Sequence, residues 1–230
     1  MSRLMWLLVS IFVLLLSITV WSLLDKEPPS LVKPITQPTS PSKVEKTRQL
    51  IAFWDSLTAG YQLTPEESFP AQLQKLFDQN NIAIKVINAW KSGDTSAQMR
   101  ERLEWSLEDT LSGDILLLTA WANDGLQWLP LSQLEENIRA IIAYAQDRSL
   151  VIILWGMKLP PNYWAEYAGE FEALYKRLAI DEDIYLIPFL LEDVAAIPQL
   201  NLDDGIHPNA AWYAIIANTI FTFIREKVLD

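Results

Sequence analysis

The chain has 230 residues, half of them hydrophobic, with 18 basic and 29 acidic side chains and a formal net charge of −11. That balance excludes the basic face that nucleic-acid binding requires. The absence of cysteine excludes disulfides and thiolate metal sites, and one histidine among scattered carboxylates is a poor ligand set, so neither metal nor cofactor is expected.

Leu4 to Leu24 is an uncharged run dominated by Leu, Val and Ile. At about 1.5 Å per residue it is long enough to cross a hydrocarbon layer of roughly 30 Å. A cleavable signal peptide has a shorter apolar region and a small-residue cleavage site. No Ala-x-Ala pattern follows Leu16, so residues 1–26 are expected to form an uncleaved membrane anchor. Arg3 precedes the span and Asp25-Lys26-Glu27 follow it, which orients the short N-terminus to the cytoplasm and the rest outside. In residues 27–46, Pro28, Pro29, Pro34, Pro38 and Pro41 alternate with Ser, Thr and Lys, the composition of a semi-extended tether. Residues 47–230 suit one globular domain with its own core.

Within that domain, apolar runs alternate with amphipathic stretches. Strands are expected at Gln49–Trp54, Ile82–Ala89, Asp114–Ala120, Leu150–Trp155 and Ile184–Phe189. Helices are expected at Ser68–Gln79, Thr95–Leu111, Leu131–Gln146, Asn162–Leu178 and Pro208–Val228. This alternation predicts an α/β fold, a parallel sheet covered on both faces. In such sheets the site lies beyond the carboxyl ends of the strands.

His207 is the only histidine and sits in Asp203-Asp204-Gly205-Ile206-His207-Pro208-Asn209. An imidazole, with an unperturbed pKa near ~6.5, is the natural base near neutral pH. Pro208 suits the first position of a helix, which puts His207 at a helix mouth with a carboxylate three residues before it. After the first strand comes Asp55-Ser56-Leu57, where a serine can present its hydroxyl at the sheet edge or cap a helix. The second strand leads into Ser92-Gly93-Asp94-Thr95-Ser96 and the third into Trp121-Ala122-Asn123-Asp124-Gly125. Each offers small residues or a neutral amide where an oxyanion could be received. Asp94 and Asp124 read as turn-binding carboxylates rather than catalytic ones.

These four segments, in this order, resemble the SGNH or GDSL-type hydrolase family, in particular its thioesterase I, arylesterase and lysophospholipase branch. The resemblance covers roughly Gln49 to Ile220, including Lys158-Leu159-Pro160-Pro161-Asn162-Tyr163 and Ile187-Pro188-Phe189. It implies a three-layer α/β/α, flavodoxin-like fold with a five-stranded parallel sheet. Ser56 then matches the nucleophile, His207 the base, and Asp204 the residue that orients the imidazole. Asp203 is the rival acid, but the family pattern places the acid three residues before the histidine. The implied oxyanion hole comprises the Ser56 and Gly93 backbone N–H groups and the Asn123 side-chain amide.

Trp54, Trp90, Trp121, Trp128, Trp155, Trp164 and Trp212 stand where the resemblance implies glycine. Overpacking a tight site costs about 1–3 kcal/mol each time. Some bacteria read the codon UGA as glycine, whereas another common translation table reads it as tryptophan. The pattern is that of a glycine protein translated under the wrong table. Restoring seven glycines doubles the 7 present among 230 residues, towards the usual share of about 7%. Trp105 fits its helix, and Trp6 and Trp21 suit either interfacial anchors or further misread glycines.

The expected activity is hydrolysis of carboxylic acyl esters or thioesters, lysophospholipids among them, through an acyl-enzyme on Ser56. The expected partners are a small-molecule ester or thioester and, through the N-terminal helix, a membrane. The catalytic domain is expected outside the cytoplasm. Two alternatives remain open: an O-acetyl esterase acting on cell-wall carbohydrate, and an inactive tethered binding domain whose site the tryptophans fill. Oligomeric state is not legible.

Overall fold

The computed structural model describes residues 47–54, 63–91, 93–119, 122–159, 163–189, 198–202 and 209–229. The chain divides after Glu45, and these residues all lie in the part from Lys46 to Asp230. The expected anchor and the whole tether fall outside the described residues. Among the described residues no helix is long and apolar enough to cross a membrane.

The five expected strands are present: β1 (Arg48–Trp54), β2 (Ile84–Trp90), β3 (Ile115–Leu118), β4 (Val151–Trp155) and β5 (Tyr185–Ile187). All pairings are parallel, in the order β2-β1-β3-β4-β5. Ile115 through Leu118 are all buried, as are Leu50 through Phe53. Successive side chains of a strand point to opposite faces, so unbroken burial requires cover on both sides. Two sets of helices provide it. α1 (Phe69–Gln79) packs with α7 (Ala210–Lys227), while α5 (Leu131–Asp147) packs with α2 (Ser96–Glu101) and α6 (Ala165–Asp181).

Three expectations need correction. The helix anticipated over Thr95–Leu111 is two short ones, α2 and α3 (Leu103–Ser106), broken at Arg102 with φ −96° and ψ 6°. There the Arg102 side chain turns inward. Its Nε donates to Asp94 at 2.6 Å, Nη1 donates to the Ala89 carbonyl at 2.9 Å, and the guanidinium lies 4.2 Å over the Phe53 ring. A half-buried guanidinium with a charge-assisted bond outweighs one more turn of helix. α6 begins at Ala165 rather than Asn162 and runs on to Asp181. α7 begins at Ala210 rather than Pro208, because Asn209 is its cap: the side-chain oxygen Oδ1 of Asn209 accepts from the N–H groups of Ala211 and Trp212, both at 3.1 Å. A short helix that periodicity did not reveal, α4 (Ala122–Leu126), follows β3.

On the surface, Arg139 of α5 reaches Glu135 at 2.8 Å and Asp181 at 2.7 Å and pairs with Glu182, while Arg177 of α6 holds Glu135 at 2.7 Å. The Arg177 hydrogen bond above all, with Arg139 assisting against partial desolvation, keeps the Glu135 carboxyl below the ordinary glutamate range. A depressed carboxylate stabilises the fold above its unfolded pKa and loses that contribution as pH falls through the folded value. Glu135→Gln should therefore lower stability by about 0.5–1 kcal/mol at neutral pH. Urea denaturation of both proteins well below the reference value of 4.5 should then give coincident curves. A deficit that persists unchanged in acid would mean the pairing contributes nothing.

Candidate active site

Because β1 lies between β2 and β3, the segments that leave β2 and β3 flank the carboxyl end of β1. Trp54, the last residue of β1, pairs in register with Trp90, the last of β2, and Phe53 pairs with Leu118 of β3. Ser56 comes two residues after β1 in the chain. Ser56, Asp204 and His207 lie outside the described residues, as do Asp55 and Asp203. Gly93 and Asn123 are described.

Gly93 has φ +80°, a left-handed conformation that a residue without Cβ adopts at little cost. Nothing lies within 4 Å of where its Cβ would be, so the requirement is conformational rather than steric. Gly93→Ala should therefore lose about 1–2 kcal/mol of stability through backbone strain alone. Thermal denaturation checks this, and an unchanged melting temperature would contradict the strain assignment. Gly156, just past β4, answers a different need: a Cβ there would sit 2.1 Å from the Pro188 carbonyl oxygen.

Beyond Gly93, Thr95 caps α2, its N–H donating to Gln98 Oε1 at 2.9 Å. The Thr-x-x-Gln spacing announces this start in the sequence. Asp94 is 1% exposed, and its carboxylate is held by Arg102 rather than presented to a substrate. On the β3 side, Asn123 is half-buried near the start of α4 and donates from Nδ2 to the Asp94 carbonyl at 3.0 Å. An amide nitrogen has two N–H groups, and among the described residues Nδ2 has no other hydrogen-bond partner. The two predicted oxyanion donors that can be located thus belong to segments tied directly to each other.

A second tie runs beside the first. Asp124, 2% exposed, accepts from the Ser96 N–H at 2.8 Å and from the Ser96 hydroxyl at 2.6 Å. Asn137 of α5 in turn donates to the Ser96 hydroxyl oxygen at 3.0 Å. Burial pushes the Asp124 carboxyl above the usual range, partly opposed by the two Ser96 hydrogen bonds. The Tyr167 hydroxyl is raised as well, by burial first and then by the nearby Asp124 charge. Asp94 and Asp124 are therefore structural, as the sequence reading had them. Local pattern does not reveal Arg102 as the partner of Asp94, Ser96 as that of Asp124 or Asn137 as that of Ser96, since the members of these pairs lie 8, 28 and 41 residues apart.

Among the tryptophans in question, Trp155 is buried at the end of β4 and Trp212 is buried in α7. The Trp212 indole N–H has no hydrogen-bond acceptor among the described residues. Trp128 adopts φ +58° just after α4. Its ring stacks on Tyr163 at 4.6 Å and meets Trp164 edge-on at 5.5 Å.

Residues 52–215 match the model of the GDSL-like lipase/acylhydrolase family. An arylesterase of Vibrio mimicus is 34% identical over 164 residues, 71% of this chain and 82% of that protein. The thioesterase 1/protease 1/lysophospholipase L1 of Escherichia coli strain K12 is 36% identical over 169 residues, 74% of this chain and 79% of that one. Among solved structures, the psychrotrophic esterase EstA from Pseudoalteromonas superposes with a TM-score of 0.74 at 28% identity, covering 80% of this chain and all of that one. AlinE4, an SGNH-hydrolase family esterase, gives a TM-score of 0.65 at 34% identity, covering 80% and 97%.

Proposed function

The chain belongs to the GDSL-like lipase/acylhydrolase family and is an ester-hydrolysing enzyme; from that premise we propose that it works through an acyl-enzyme on Ser56, with His207 as base and Asp204 orienting the imidazole. The observation that carries this reading is the strand order. The Gly93 and Asn123 segments leave the strands on either side of β1, and Ser56 follows β1. A carbonyl attacked there meets donors from both flanks.

In the first half-reaction His207 takes the Ser56 hydroxyl proton as the serine oxygen bonds to the acyl carbon. The carbonyl electrons move onto oxygen, which accepts hydrogen bonds from the Ser56 and Gly93 N–H groups and from Asn123 Nδ2. The tetrahedral intermediate collapses, the alcohol or thiol leaves with the proton from His207, and the acyl group remains on Ser56. Water then attacks, giving its proton to His207, and the second collapse releases the acid and returns the proton to Ser56. No cofactor is used. Donors preorganised for the oxyanion favour the transition state over the ground state, which is why they raise kcat.

The substrate in this reading is a small-molecule acyl ester or thioester, lysophospholipids included. Support comes from two relatives, one named arylesterase and the other thioesterase 1/lysophospholipase L1. The test is a chain-length series of p-nitrophenyl esters and acyl thioesters, with labelling by a fluorophosphonate. Turnover of acyl chains longer than acetyl and labelling confined to Ser56 are expected. Activity on acetate alone, or labelling that survives Ser56→Ala, would overturn it. The same reading keeps residues 1–26 as an anchor and 27–46 as a tether, with the enzyme outside the cytoplasm, on the strength of the uncharged run Leu4 to Leu24. Carbonate-resistant membrane association, lost on deleting residues 1–26, is the expected result.

A further inference from the structure

We propose that Asp124 and Ser96 form a clamp that positions the oxyanion donors, holding the Gly93 segment and Asn123 in register with each other. The clamp rests on the oxyanion role given above to Gly93 and Asn123, and it assigns function to residues that do not touch substrate. Ser96 is the first residue of α2, three positions after Gly93, and Asp124 directly follows Asn123. One carboxylate accepts both the N–H and the hydroxyl of Ser96, at 2.8 and 2.6 Å, in a site where both residues are almost completely buried. Two charge-assisted bonds from one residue fix direction as well as distance. Asn137, donating to the same hydroxyl from α5, sets the proton direction: the hydroxyl oxygen accepts from Asn137 and its hydrogen goes to Asp124. The parallel link from Asn123 Nδ2 to the Asp94 carbonyl is a single neutral hydrogen bond made by the donor amide itself. One of that amide's two N–H groups is committed to it, so the bond is strained whenever the amide turns to meet an oxyanion. The Asp124–Ser96 pair carries no such conflict and can hold the two segments throughout the reaction.

Asp124→Asn removes one acceptor and sets an N–H₂ against a Ser96 donor, leaving the shape unchanged. The expected result is a kcat lower by roughly 10- to 100-fold, the cost of a small misplacement. KM should stay near the parental value and the circular dichroism should be native. Because the residue acts through Asn123, the double variant Asp124→Asn/Asn123→Ala should be no slower than Asn123→Ala alone. Ser96→Ala, which keeps the carboxylate and its bond from the backbone N–H but drops the hydroxyl's bonds to Asp124 and from Asn137, gives the same pattern at smaller amplitude and serves if the aspartate variant does not fold. Parental kcat in both single variants, or losses that multiply fully with Asn123→Ala, would overturn the clamp. If instead Ser56→Ala hydrolyses esters at the parental rate, the underlying acyl-enzyme reading is at fault.

A separate observation carries a second inference. Four described residues other than glycine have positive φ: Asn81, Ser149, Asp183 and Trp128. Asn and Asp tolerate that region through local hydrogen bonds, but for a bulky aromatic residue it is an outlier. Trp128 occupies a glycine conformation. Trp212 points the same way, its indole N–H buried without an acceptor among the described residues. We infer that the cellular protein carries glycine at all seven tryptophan positions that depart from the family pattern, read from UGA, and keeps Trp105. Peptide mass spectrometry of the protein purified from its own cells should show glycine at the seven sites and tryptophan at 105. Tryptophan at position 128, or UGG codons in the gene, would overturn the inference. Expressed side by side, the glycine form should have the higher melting temperature.

Discussion

Ser56→Ala and His207→Ala should each lower kcat for ester hydrolysis by about 10⁶-fold, and the double variant should be no worse than either alone. A serine hydroxyl is a poor nucleophile until a base removes its proton, so losing either partner removes the same step. The chain holds one histidine, which leaves no second imidazole to substitute. Fluorophosphonate labelling should vanish in Ser56→Ala and slow by orders of magnitude in His207→Ala. Activity well above the uncatalysed rate should survive in both, because the oxyanion donors and substrate binding remain. Steady-state kinetics on one p-nitrophenyl ester measures all of these. Retention of about a tenth of parental kcat in Ser56→Ala would remove the nucleophile from the reading.

Asn123→Ala carries the next largest expected effect, a fall of about 10²–10³-fold in kcat, or roughly 2.7–4 kcal/mol, with KM little changed. In the proposed mechanism the amide serves the oxyanion and not the ground-state carbonyl, so its removal is expected to be felt after binding. The substitution also deletes the bond to the Asp94 carbonyl. The surrounding structure should stand nonetheless, because Asp94 keeps its ion pair with Arg102 and Asp124 keeps both bonds to Ser96. A native thermal transition combined with the kcat loss is therefore the diagnostic pair. A raised KM at parental kcat would make Asn123 a ground-state contact and exclude it from the oxyanion hole.

The parts of this enzyme legible in its sequence are those that depend on near neighbours. Apolar runs bounded by polar turns located all five strands within about two residues, and helical spacing placed α1, α5 and α7 comparably well. That Ser56 follows the first strand, and that an aspartate stands three residues before the lone histidine, needed only chain order; the roles proposed for them come from the family resemblance. At α7 a local cap decided the start: Asn209, with its two accepted N–H bonds, begins the helix two residues later than Pro208 suggested. Arg102 shows where local reading stops. In sequence it is one more polar residue on a helix, and the periodicity runs through it. In space its guanidinium spans Asp94, Ala89 and Phe53, and the helix breaks to let it do so.

The family resemblance could name Gly93 and Asn123, but the meeting of their segments depends on β1 lying between β2 and β3, which only the assembled sheet decides. Asp124 and Ser96 likewise become partners only after two loops 28 residues apart are laid side by side in a buried site. The physical reason is the range of the forces. Backbone propensity and hydrophobic period act over a few residues and are written in the local pattern. Hydrogen bonds between buried side chains depend on which distant segments packing brings together, and that information is spread across the whole core.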